Sequence, residues 1–259
     1  MAQPEPLPPG EFSNWPTLRF IYRTDPDRVA DLLPPGIDPG AEPEVHIHVY
    51  QFPVGGEPEF GVVMMVPATF QGEGGFYQLG TGIDQEQAIF ISQELNGQPK
   101  FPCRVQYFRL GSKVVARCWH QGYTFLEFSG EIGDDITAEG PPEWTENQWW
   151  IKSLRATGGA EKSYDFPPQV VRVSSKSSLV YRFNVTGDLV LRDSPWDPIA
   201  ELLPLREQVA VHLQKTQMDY MTRSLTLAGP LDPIAFWPYA DTIGGSRWPG
   251  LMGGPRRRL

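Results

Sequence analysis

Along the chain, Val45, Ile47 and Val49 alternate with His46, His48 and Tyr50. That period of two belongs to a strand whose two faces meet different surroundings. Similar short runs recur at Leu18 to Arg23, Phe60 to Val66, Phe76 to Leu79, Val105 to Leu110, Val114 to Trp119 and Tyr123 to Phe128. They continue at Val170 to Val173, Leu179 to Val185, Leu189 to Arg192 and Gln208 to Met221. The turn residues Gly111-Ser112 and Thr186-Gly187-Asp188 suit hairpins between such runs. Helical signals are fewer. Asp25 stands as an N-cap, with Pro26 at the first helical position and Val29, Leu32 and Leu33 on an apolar face, before Pro34-Pro35-Gly36 ends the segment. Asp84 opens a second helix that reaches Asn96, with Ala88, Ile91 and Leu95 on one side and Gly97 at the C-terminal position. A short third helix is expected over Pro198 to Leu203. The pattern predicts a mainly β protein with a few short helices.

Composition sharpens this. The 26 glycines and 27 prolines among 259 residues favour a turn-rich β architecture, and a hydrophobic share of 40% is enough to fill a core. No internal repeat or long linker divides the chain, so residues 1–259 read as a single domain, with a loose arm over 1–14 and a Gly/Pro/aromatic extension over 229–259. The net charge is −9, and the basic run Arg256-Arg257-Arg258 stands alone, which argues against a nucleic-acid partner because phosphate binding needs a clustered positive footprint. No apolar run approaches the roughly 18 residues of a membrane span, and Met1 to Gly10 is proline-rich without an apolar signal core. The expected location is therefore cytoplasmic, with no membrane partner. Cys103 and Cys118 lack metal-site spacing and read as free thiols facing the core, and Asn184-Val185-Thr186 is a chance sequon in such a setting.

Generic catalytic signatures are absent: there is no GxSxG, no HExxH and no Walker loop, and the glycines from Gly72 to Gly82 lack dinucleotide spacing. His46 and His48 form an HxH pair, but His120 and His212 complete no obvious ligand set, so neither metal nor cofactor is expected. Gln98-Pro99-Lys100-Phe101-Pro102 follows the second helix, and each proline holds the residue before it extended. Lys100 is thus carried on a stiff segment.

Several stretches together resemble the acetoacetate decarboxylase superfamily. They are Tyr22-Arg23-Thr24-Asp25, Pro67-Ala68-Thr69-Phe70 with Gly72-Glu73-Gly74-Gly75-Phe76-Tyr77, Glu86-Gln87-Ala88-Ile89 and, most specifically, Glu94-Leu95-Asn96-Gly97-Gln98-Pro99-Lys100. A weaker match runs from Leu191-Arg192-Asp193 to Leu203-Pro204, so the resemblance covers residues 18 to 225. It implies a cone-like antiparallel β-barrel, a homo-oligomer, and a Schiff-base lysine at Lys100 acting on a small-molecule keto substrate. Such an amine must be neutral to attack, and an ordinary lysine pKa near 10.4 leaves roughly one part in 2,500 neutral at pH 7.

The family pattern is not kept throughout. The second lysine of the decarboxylases falls on Phe101, their upstream arginine on Trp15, and their two glutamates on His48 and Gly61, with Glu59 as a substitute for the latter. The expected catalytic set is Lys100, His48 and Glu94, and the expected substrate contacts are Gln98, Gln93, Trp15, Phe101 and Tyr239. Aromatic groups in place of charges imply a larger or more apolar substrate. The tail, with Ile234, Phe236, Trp237, Tyr239, Ile243 and Trp248, is too apolar for a solvated end. It either docks on the barrel exterior or a partner, or folds over the cavity mouth with Tyr239 or Asp241 as a polar group. The competing expectation is a non-catalytic barrel that binds an apolar carbonyl-containing ligand.

Overall fold

The computed structural model describes residues 16–54, 57–158, 163–218, 223–240 and 248. Its first half runs β1 (Thr17–Arg23), α1 (Pro26–Leu32), β2 (Ile37–Pro39), β3 (Glu44–Val54), β4 (Glu57–Phe70), β5 (Glu73–Ile83), α2 (Glu86–Asn96), β6 (Lys100–Pro102) and β7 (Arg104–Leu110). The remainder runs β8 (Lys113–His120), β9 (Tyr123–Asp135), β10 (Glu143–Arg155), β11 (Tyr164–Leu191), α3 (Ile199–Leu202), β12 (Glu207–Met218), β13 (Ser224–Pro230) and α4 (Pro233–Ala240). The fold is mostly β, as the alternation predicts.

Strands β10, β5, β4, β3, β1, β12 and β11 lie side by side, and β11 pairs again with β10, so the sheet closes into a ring. The β10–β5 contact is parallel and only two residue pairs long, whereas the other pairings around the ring are antiparallel. At about 3.3 Å per residue a straight strand as long as β11 would run some 90 Å, so β11 has to bend. It pairs with β10 and β13 in its first half, then with β12, and finally with β9. Through β9 it leads into β8 and β7, which form a second layer outside the ring.

The apolar core lies between these two layers. Leu18, Phe20, Val45, Ile47, Val49, Val62 and Met64 from the ring pack in one cluster with Val105, Val114, Ala116, Cys118, Leu126 and Phe128 from the outer layer. Phe20 meets Phe128 edge to face at 4.9 Å. Full burial of such side chains contributes roughly 1.5–3 kcal/mol each. Because side chains alternate, the other face of the ring strands points inward, and it is mixed: apolar where Trp150, Val171 and Val173 cluster, polar around one cavity. Arg19, His48, Glu146, Gln148, Ser175, Ser177 and Gln214 line one interior cavity, although they come from five different strands. Both cysteines are buried free thiols. Among the described residues no helix is long and apolar enough to cross a membrane.

Several local expectations need correction. Thr186-Gly187-Asp188 makes no hairpin: it lies within β11, paired to Glu131, Gly130 and Ser129 of β9. A side chain at Gly187 would stand 2.6 Å from Ser129 O, so the glycine serves close strand approach at a bend rather than a turn. Asp84 does not cap α2, whose N-cap is Gln85; its Oδ1 accepts from the Phe60 N–H at 2.9 Å. Asp25 likewise makes no capping bond and pairs instead with Arg206. The expected inner face of α2 is largely outside, with Ile91 and Leu95 more than half exposed, because the helix docks through Ala88 and Ile89 against Tyr50 and Ile83. Of the HxH pair, His46 is buried and His48 half-buried inside the ring. Strands β10 and β13 are additions to the sequence reading.

Candidate active site

Lys100 is placed by backbone before side chain. The three residues of β6 pair in parallel with β5, setting Lys100 opposite Thr81 and Phe101 opposite Gly82. The Thr81 N–H donates to Pro99 O at 2.9 Å, the Lys100 N–H donates to Gln98 O at 2.7 Å, and Gln93 Nε2 donates to Lys100 O at 2.5 Å. Adjacent residues of a strand face opposite ways. Phe101 therefore enters the apolar core, 5.0 Å from the His120 ring, while Lys100 faces the ring interior.

There its Nζ lies 3.7 Å from Glu59 Oε2, with side-chain exposures of only 11% and 1%. Tyr50 OH donates to Glu59 Oε1 at 2.9 Å, whereas Glu59 Oε2 has no hydrogen-bond partner among the described residues. Gly61 makes this possible. A Cβ at that position would fall 2.2 Å from a Tyr50 ring atom, so any larger residue would displace the phenol that holds Glu59.

Burial pushes the Lys100 pKa down; Glu59 opposes that shift and Arg223 adds to it. Burial raises the Glu59 pKa, with Lys100 and Tyr50 pulling the other way. Tyr50 is held well above its ordinary value by burial and by Glu59. The trio thus combines an amine with reduced proton affinity, a carboxylate with increased proton affinity, and a phenol that stays protonated. Such a set can supply a nucleophile and handle its protons. Arg223, just before β13, also lies 5.6 Å over the Trp150 ring.

Of the expected site residues, the structure brings Lys100 to the ring interior together with Glu59, the named substitute for a family glutamate. His48 lies on the same face two residues from Tyr50, but its Nε2 accepts from Arg19 Nε at 2.8 Å, and burial with Arg19 nearby holds its pKa well down. It is a neutral acceptor for a guanidinium. Glu94 is exposed on α2 and does not point inward. Gln93 is also exposed and clamps the Lys100 main chain, and Gln98 is half-buried and contributes a backbone carbonyl. Phe101 is a core residue and not a substrate wall. Tyr239 stacks on Phe236 of the outer core, so the described part of the tail docks outside the ring. Trp237 against Tyr164 and Trp248 Nε1 donating to Trp196 O belong to the same docking. Trp15 and Asp241 lie outside the described residues.

Sequence reasoning missed Tyr50, Arg223 and Arg19 as functional positions. Tyr50 shares the polar phase of β3 with His46 and His48, which was the available signal. Arg223 had none, because only the fold brings it near Lys100.

A ring of strands encloses a buried lysine paired to a buried carboxylate. The chain belongs to the acetoacetate decarboxylase family, whose description, "Acetoacetate decarboxylase (ADC)", matches residues 1–227. It is similar to an acetoacetate decarboxylase of Paraburkholderia phytofirmans, 34% identical over 99 residues, a stretch that covers 37% of this chain and 38% of that relative. The fold is shared with acetoacetate decarboxylase from Legionella pneumophila (TM-score 0.70, 17% identity, 90% of this chain and 93% of that one). It is shared too with the enduracididine biosynthesis enzyme MppR, solved with the condensation product of pyruvate and imidazole 4-carboxaldehyde (TM-score 0.67, 17% identity, 86% of this chain and 91% of that one).

Proposed function

We propose that this protein is a Schiff-base lyase that acts on a small keto acid or β-dicarbonyl compound through Lys100. One observation carries the reading: the Lys100 amine is buried, with its pKa lowered by that burial, beside a buried Glu59 that Tyr50 orients. The neutral amine adds to the carbonyl carbon, and the carbinolamine loses water to give a protonated imine. A bond β to that imine then breaks with its electron pair passing into an enamine, releasing CO2 or an aldehyde fragment. Protonation at carbon and hydrolysis return the amine and the ketone. Glu59 is the group placed to take and return these protons. Family membership supports this chemistry, as does a structural neighbour that holds a pyruvate condensation product.

The buried ion pair at Lys100 weighs against the competing carrier of an apolar ligand, and the outward turn of Phe101 removes the proposed apolar wall. A homo-oligomer belongs to the same reading, supported by the exposed Phe90, Ile91 and Leu95 on α2, and light scattering in solution measures it. The decisive test of the chemistry is reduction with borohydride in the presence of pyruvate or acetoacetate. A mass increase on Lys100 alone among the six lysines, lost in Lys100→Ala, is the expected result. Absence of any adduct with a folded protein would sink the assignment.

A further inference from the structure

Arg19 is the most unusual charge in the ring interior. It sits on the inward face of β1, with a side chain only 16% exposed. Its Nε is committed to His48, but the two terminal nitrogens are held loosely. Nη1 reaches Gln214 Oε1 at 3.4 Å, and Nη2 lies 3.9 Å from Glu146 Oε2, beyond hydrogen-bond reach. A desolvated guanidinium ordinarily spends its planar fork on a bidentate acceptor, and here the fork has none.

Its surroundings fit an anion. The cavity it lines has a volume of about 140 Å³ and offers hydroxyls from Thr17, Ser175, Ser177 and Thr216. At roughly 30 Å³ per water molecule this holds several waters, or a carboxylate with a short carbon chain. Arg182 Nε also donates to Gln214 Oε1, at 2.9 Å, bringing a second guanidinium to the same wall. His48 and His212 are both kept neutral by burial and by the arginines, His212 with a pKa lowered to about 4, so neither adds charge.

We infer that Arg19 is a binding residue for a substrate carboxylate remote from the reacting carbonyl. This rests on Lys100 as the carbonyl-binding group. The two sites share one wall: Tyr50 orients Glu59 at Lys100, and His48, two residues away and about 7 Å along β3, holds Arg19. A substrate of this class spans from the imine carbon to the guanidinium and keeps the distal carboxylate in its product. In acetoacetate the carboxylate is one carbon from the ketone and is itself lost.

The test compares borohydride trapping of 4-oxopentanoate with that of pentan-2-one, which has the same carbon skeleton without the carboxylate. The wild-type protein should trap the acid more efficiently by about tenfold or more, and Arg19→Gln should bring the ratio to about one. Glu146→Gln, which removes the competing carboxylate, should raise the ratio, and it supplies the answer if Arg19→Gln does not fold. A wild-type ratio near one, or a ratio unmoved in a folded Arg19→Gln variant or in Glu146→Gln, overturns the inference. If neither ketone is trapped, trapping with pyruvate or acetoacetate shows whether the Lys100 reading itself has failed. Calorimetry with glutarate, which needs no imine, then decides Arg19: binding lost in Arg19→Gln or tightened in Glu146→Gln supports the subsite, and no binding to the wild-type protein refutes it.

Discussion

Replacing Glu59 with glutamine removes the negative charge nearest the Lys100 amine while nearly preserving shape and the bond from Tyr50. At the 3.7 Å separation and an effective dielectric constant of about 20, Coulomb's law gives about 4 kcal/mol in favour of the ammonium. Relaxation and entering water reduce this figure. The direction is fixed by sign: Glu59 raises the Lys100 pKa against burial and Arg223, so Glu59→Gln lowers it further. Each unit makes about ten times more of the amine neutral at pH 7, as long as the pKa stays above that pH. The initial rate of imine formation, followed by trapping with a small neutral ketone between pH 5 and 10, should therefore rise near neutrality and its midpoint move to lower pH. Steady-state turnover should fall, because a carboxamide cannot accept and return the protons of the later steps. A midpoint that stays in place, or moves to higher pH, would refute the claim that Glu59 holds the charge on Lys100.

The Lys100 and Glu59 pair should be a liability for stability. Burial lowers one pKa and raises the other, so both charged forms oppose folding near neutral pH. The double variant Lys100→Met with Glu59→Gln should gain about 1–4 kcal/mol at pH 7. That gain should shrink as pH rises towards about 10.4, where the unfolded lysine also loses its proton, and as it falls towards about 4.3, where the unfolded glutamate gains one. Urea midpoints across this range check it, and a gain independent of pH would contradict the linkage. Phe101→Lys restores the family's adjacent cation in sequence, yet it buries an ammonium in the core beside His120 and should cost several kcal/mol. A variant as stable as its parent would show that residue 101 does not face the core. Gly61→Ala puts a methyl group 2.2 Å from the Tyr50 ring and should cost about 1–3 kcal/mol in denaturant unfolding and reduce turnover. Unchanged stability would mean that the Tyr50 ring lies elsewhere.

Much of this protein follows from local chain geometry. The two-residue phase of β3 separates Val45, Ile47 and Val49, which enter the core, from His46, His48 and Tyr50, which enter the ring. The Gly111-Ser112 turn joins β7 to β8, and Gly97 ends α2 in a left-handed conformation, as their residue types demand. The run ending in Pro99-Lys100 was enough to single out the lysine that lies buried beside Glu59. Tertiary structure decided the rest. The same alternation that sends Lys100 inward sends Phe101 outward, but no local pattern says which face of the sheet is the inside of a ring. The Glu146 to Gln148 stretch of β10 looks unlike a buried strand, because Glu146 and Gln148 line a cavity and not an apolar core. Arg223 tunes Lys100 from the far end of the chain, and Arg19 meets Glu146 across the ring. Secondary structure is set by forces acting within a few residues. The proton affinity of a buried amine is set by charges and desolvation acting through space, and those exist only once the strands have closed around it.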